Sequence, residues 1–268
     1  MTCEYPTVEI LGSGVHRLSF ADAIGFLERL IQGRDGVCHQ VVVTGFHGLW
    51  EAHKDQYLYQ ILNGADLWVA DGIAPVLLAR LRQIRDITRI PGAELMEGYF
   101  ERANRNGYRS FFYGDTVETL DELTRTLERR FPGHEICGTL SPPFRCLTPE
   151  EDDEIVEQIN TSNSDVVWVG LGTPKQDKWI FEHKDRLNAP VAVGVGAAFR
   201  FHAGIVKRVP KVIGDMGLEW IWRLAMEPRK LWRRDIIAGP QFLLHAAMEL
   251  LGLRRYGRDM SGYSAGKR

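Results

Sequence analysis

The chain has 268 residues, with 33 Lys plus Arg against 35 Asp plus Glu and a formal net charge of −2. Its 44% hydrophobic and 25% charged fractions are those of folded globular chains, and it is long enough to bury a core without staples. These values exclude a disordered chain, a collagen, a coiled coil and a bundle of membrane spans, and favour one large domain or one domain plus an appendage.

From Met1 to Ile10 no basic stretch precedes an apolar run, so no secretory leader is expected. Short apolar, β-branched runs then recur, each closed by a turn signal. They are 40–43 before Thr44-Gly45, 67–70 before Asp71-Gly72, 110–113 before Gly114-Asp115, 135–137 before Gly138, 166–169 before Gly170 and 191–193 before Gly194. Starts 25 to 43 residues apart fit β-α units. Helical periodicity fills the gaps, with Leu120, Leu123, Leu127 and Phe131 on one face and Leu95, Met96, Tyr99, Phe100 and Ala103 on another. The longest gap holds two helical stretches, about 74–82 and 93–106. Thr148-Pro-Glu-Glu151 reads as a capping box, and Asp115-Thr-Val-Glu118 as a similar start. The expected fold is α/β: a Rossmann-like, mostly parallel sheet with helices on both faces, over residues 1–202.

Residues 203–268 read as a helical, basic appendage. They hold thirteen Lys plus Arg against six Asp plus Glu, a net +7, which leaves −9 for residues 1–202. The apolar stretch from Ile236 to Leu253 is interrupted by Gly239-Pro240 and carries His245 and Glu249, so it is a poor spanning helix. The cysteines at 3, 38, 137 and 146 form no CxxC pair and are expected as reduced thiols packed like small hydrophobes.

In open α/β sheets ligands bind beyond the carboxyl ends of the strands. Asp71 directly follows a strand there and can act as a base, or else cap the next helix. Gly170-Leu-Gly172-Thr-Pro-Lys-Gln176 opens a helix with glycines whose N–H groups can approach a phosphate, and Thr173 to Gln176 also reads as a capping box. Gly194-Val-Gly196 is a second such turn. It has Phe199 where a dinucleotide fingerprint has its third Gly, which leaves weak support for an NAD-dependent oxidoreductase. Arg89 alone reads as a solvated charge. Between Glu219 and Arg234 lie three Trp and five basic residues, a pattern that suits phosphate recognition, an interfacial membrane helix or snorkelling around a Trp core. Nucleic acid suits it less, since the whole chain is acidic. No metal-ligand pattern follows a strand.

From about Ile10 to Arg234 the chain resembles the WecG/TagA/CpsF family of bacterial glycosyltransferases. The pieces that carry the likeness are Val43-Thr44, Ala65-Asp-Leu-Trp-Val-Ala-Asp-Gly72, Arg89-Ile-Pro-Gly92, Phe112-Tyr-Gly114, Gly170-Leu-Gly-Thr-Pro-Lys-Gln-Asp177, Gly194-Val-Gly-Ala-Ala-Phe199, and Gly217-Leu-Glu-Trp220 through Arg223 to Glu227-Pro228. The resemblance implies inverting transfer of an N-acetylmannosamine-type or related sugar from UDP to a polyprenyl-diphosphate-linked acceptor, without a cofactor or metal. It implies work at the cytoplasmic membrane face, with an anionic membrane surface as partner, and allows a homo-oligomer. Asp71 then matches the proposed base, while Thr44, Arg89 and Gln176 match active-site positions, with Gly172 and Gly196 in the turns beside them. Arg223, Arg229, Arg233 and Arg234 become candidates to neutralise the diphosphate as the appendage closes over the site. The departures are Phe46 and His47 after Thr44, Asp177 for the usual Glu, and Arg200 for the usual Asp. Arg200 suits an acidic donor sugar, or else a nucleotide-sugar-binding protein that has lost transfer.

Overall fold

A computed structural model describes residues 5–206 and 219–257. The chain opens with β1 (Thr7–Ile10) and β2 (Ser13–His16), followed by α1 (Phe20–Gly33), β3 (His39–Thr44), α2 (Phe46–Lys54), α3 (Gln56–Asn63) and β4 (Leu67–Ala70). Next come α4 (Ile73–Leu81), α5 (Gly92–Asn106), β5 (Arg109–Gly114), α6 (Val117–Arg130), β6 (Glu135–Leu140), α7 (Pro149–Thr161) and β7 (Val166–Gly170). Then follow α8 (Lys175–His183), a 3-10 turn (Lys184–Arg186), β8 (Val191–Gly194) and α9 (Ala198–His202). Beyond the undescribed residues lie α10 (Glu219–Met226), α11 (Pro228–Trp232), a π-helical stretch (Arg233–Ala238) and α12 (Gly239–Leu250).

Six strands form one parallel sheet in the order β4-β3-β8-β7-β5-β6. The α/β expectation holds, including the helical C-terminal part. The chain places β3 and β4 toward one edge and β5 and β6 toward the other, and fills the centre last with β7 and β8. This order opens a crevice over the central strand ends. Alternation along the strands assigns the two faces. Val41, Val43, Trp168 and Val193 pack with Leu27, Phe100 and Leu123 from α1, α5 and α6. Val42 and Trp68 turn to the other face, where Leu49, Leu58 and Leu62 from α2 and α3 cover them. The same second core takes in Ala238, Phe242, Ala246 and Tyr256, so α12 is built onto α2. Glu249 joins it further, accepting from the Leu11 N–H at 3.1 Å and from Arg82 Nη2 at 2.8 Å.

Three local readings are corrected. The hairpin of β1 and β2 was not expected, yet its buried Val8, Ile10 and Val15 show the alternation that marks a strand. It covers the outer edge of β4, where His16 Nδ1 accepts from the Trp68 N–H at 2.9 Å. Thr148 and Glu151 do form the expected capping box, but α6 is capped by Thr116 rather than Asp115. Of the cysteines, Cys38 is buried and Cys137 half-buried, while Cys146 is exposed and so is not packed as a small hydrophobe. Cys3 lies outside the described residues. Among the described residues no helix is long and apolar enough to cross a membrane.

Candidate active site

The candidate residues gather at the carboxyl edge of the sheet in two groups. The first forms around the ends of β3 and β4. The Thr44 carbonyl accepts from the Asp71 N–H at 3.3 Å and from Trp68 Nε1 at 3.3 Å. Gly45 passes so close to Asp71 that a Cβ there would sit 1.9 Å from its carbonyl oxygen. The Thr44 side chain is buried beneath Gly48 of α2. Asp71 is exposed, and the N-cap position of α4 is Gly72 rather than Asp71. The Ile90 N–H donates to the Ala70 carbonyl at 2.8 Å, which stitches the Arg89–Gly92 loop beside Asp71. Arg89 is no fully solvated charge: its side chain is 16% exposed and lies 3.9 Å from Glu94.

The second group forms around the ends of β7 and β8. Gln176 is buried, and its side chain lies across Gly194. Its Oε1 accepts from the Gly172 N–H at 3.1 Å and from the Gly196 N–H at 2.8 Å. The expected capping box is absent, because the N-cap of α8 is Pro174, which makes no side-chain cap. Nor are the two glycine N–H groups aimed at a phosphate, since Gln176 takes both. What the turns offer instead is space. Gly172 has φ +79° with nothing within 4 Å of a Cβ position, so a ligand can approach its backbone closely.

Arg200 borders this group. Asp115 holds its guanidinium in a paired contact, 2.8 Å to Nε and 3.1 Å to Nη2. Spacing did not reveal this pairing of Asp115, because a carboxylate after a strand also fits a helix start.

The C-terminal part reaches the same rim through α2. His47, in the first turn of α2, has its pKa lowered mainly by burial; Glu51 at 3.8 Å opposes this, and the positive charge of Arg234 adds to it. Arg234 itself is held by Asp235 at 2.6 and 2.9 Å. Arg229 is exposed, as is Arg233, whose guanidinium lies 5.4 Å from the Trp232 ring centre. The Arg223 side chain lies outside the described residues, as do Lys207, Arg208 and Lys211. Among the described residues no three His, Cys, Asp or Glu side chains converge as metal ligands.

The edge thus carries an acid after β4, glycine turns after β7 and β8, and Arg234 of the C-terminal part near His47. A sequence profile of the glycosyl transferase WecG/TagA/CpsF family matches residues 8–256. The chain belongs to this family. It is therefore a glycosyltransferase. It is also similar to an N-acetylglucosaminyldiphosphoundecaprenol N-acetyl-β-D-mannosaminyltransferase of Bacillus spizizenii, at 32% identity over 69% of this chain and 70% of the relative. A Staphylococcus aureus protein of the same name is 30% identical over 68% of this chain and 70% of the relative. In this enzyme five of the seven segments that carry the likeness thus fall at the carboxyl ends of β3, β4, β5, β7 and β8, and the Arg89–Gly92 loop is stitched to the end of β4.

Proposed function

We propose that the enzyme transfers a sugar of the N-acetylmannosamine type from UDP to a polyprenyl-diphosphate-linked acceptor, in the assembly of a cell-surface or extracellular polysaccharide. The names of the relatives support the acceptor class and the donor sugar. The observation that carries the chemistry is Asp71, an exposed carboxylate directly after β4 at the carboxyl edge of the sheet. It stands two strand spacings from the β8 turn, about 10 Å, a distance a nucleotide sugar can bridge. The acceptor hydroxyl attacks the anomeric carbon as Asp71 takes its proton. The bond from that carbon to the diphosphate oxygen breaks with inversion, and UDP leaves with the electron pair. Thr44 and Arg89 hold the Asp71 side of the crevice. Gly172, Gln176 and Gly196 shape the donor side, and Arg200 with Arg223, Arg229, Arg233 and Arg234 offsets the charge of the diphosphate.

The C-terminal part supports a peripheral position on the inner face of the membrane. Trp232, Ile236, Ile237, Leu243 and Leu244 are all exposed, and so are Arg229, Arg233, Arg254 and Arg255 among them. Apolar side chains mixed with arginines suit an anionic lipid surface, at roughly 1 kcal/mol for each cation near it. The test is a panel of UDP-sugars offered with a lipid-diphosphate-linked N-acetylglucosamine acceptor in vesicles. Transfer from UDP-N-acetylmannosamine is the expected result, and no transfer from any donor would overturn the reading.

A further inference from the structure

Asp115 is more elaborately held than a surface carboxylate needs to be. It sits at φ +56° directly after β5. Its Oδ1 accepts from the Thr116 N–H at 2.9 Å and from Thr119 Oγ1 at 3.1 Å, and its own carbonyl accepts from Ser141 Oγ at 2.7 Å. The carboxyl side chain is 5% exposed, against 30% for Arg200. Burial raises its pKa, but hydrogen bonds from Arg200 and Thr116 outweigh this and hold the group charged. Asp115 is thus fixed from three sides before it meets Arg200.

This fixed point lies on the site. Gly114 packs against Gly170, where a Cβ would come within 2.8 Å of the backbone, so Asp115 borders the Gly170–Gly172 turn. Arg200 follows Gly196 by four residues. Asp115 engages Nε and Nη2 of Arg200, while Nη1 lies 3.9 Å from Glu227 Oε1. That distance is too long for a hydrogen bond, and both partners are partly open to solvent, so the pair is weak. Glu227 is the residue before α11, which carries Arg229. One guanidinium therefore joins the sheet edge to the C-terminal helices by a strong contact on one side and an exchangeable one on the other.

We propose that Asp115 is a positioning residue for Arg200. It holds the guanidinium so that Nη1 is presented to an oxygen of the donor's diphosphate, for which Glu227 holds the place. A phosphate oxygen there gains a charge-assisted hydrogen bond that Glu227 does not make. The exchange releases Glu227 and links donor binding to the start of α11. This inference rests on the proposed UDP-sugar reading.

The test is calorimetric titration of the full chain with UDP alone. Asp115→Asn is expected to raise the UDP Kd about tenfold, and so is Arg200→Lys, which keeps the charge but cannot make the paired contact. Glu227→Gln is expected to lower the Kd at least about twofold, because it removes a competing carboxylate. In transfer assays the Asp115→Asn defect should fall on donor KM, with kcat little changed. Unchanged UDP affinity in folded Asp115→Asn and Arg200→Lys, or weaker affinity in Glu227→Gln, overturns the inference alone. A wild-type chain that binds no UDP overturns the proposed function, and this inference with it.

Discussion

Asp177 follows Gln176 directly, yet its environment is the opposite of a binding residue's. Both carboxyl oxygens are buried with no hydrogen-bond partner, and burial pushes the pKa up from 3.8 to about 7. Thr173 beside it offsets only part of that rise. A carboxyl group so placed is held neutral, because ionising it in the interior without donors is costly. The folded chain keeps this proton between pH 3.8 and about 7 while the unfolded chain loses it. Stability from this group is therefore full below the lower value and lost as pH rises through the higher one. Asp177→Asn is uncharged at every pH and should escape that loss. Urea unfolding at pH 5 and pH 8 should show the wild type losing more stability than the variant, by at most about 3 kcal/mol. Equal losses in the two proteins would show that Asp177 is not held neutral. At this scale the sequence is legible where a residue's neighbours along the chain decide its role. Asp71 directly follows a strand and is found at the sheet edge. Gln176 and Asp115 are misread as helix starts because their partners, Gly196 and Arg200, lie 20 and 85 residues away. Motif spacing carries no information about a contact made across strands.

At the scale of elements, α12 has two faces that do different work. Phe242 and Ala246 are buried against α2, with Phe242 and Phe46 ring centres 5.8 Å apart. Leu243 and Leu244 face solvent. Phe242→Ala should cost about 3–5 kcal/mol, the range for removing a buried aromatic ring. Leu243→Ser with Leu244→Ser should leave the unfolding midpoint near that of the wild type and lower co-sedimentation with anionic vesicles several-fold. If vesicle binding is unchanged, this face does not meet lipid. The six strands are legible because each is a short apolar run closed by a turn signal. The hairpin is not, because its strands alternate apolar with polar or Gly residues instead of forming an apolar run, and its stability comes from packing on β4 and α3. The attachment of α12 to α2 is invisible for a similar reason: its apolar residues look alike whether they meet protein or membrane.

Across the whole molecule, the near-neutral total conceals a division between an acidic body and a basic C-terminal quarter. The fold brings Arg234 to the rim of the crevice beside His47, and Glu227 beside Arg200. In the proposed mechanism an anionic donor meets cations supplied by the C-terminal part, while Asp71 on the sheet takes the proton. On the proposed mechanism Asp71 removes the acceptor's proton and contributes little to holding the donor. This division of labour is tested by comparing wild type and Asp71→Asn for transfer from UDP-N-acetylmannosamine to a lipid-diphosphate-linked N-acetylglucosamine, with UDP affinity measured on the same samples. Transfer should fall by about 10²-fold or more while the UDP Kd stays near the wild-type value. Transfer retained at the wild-type rate in Asp71→Asn would contradict the proposed mechanism.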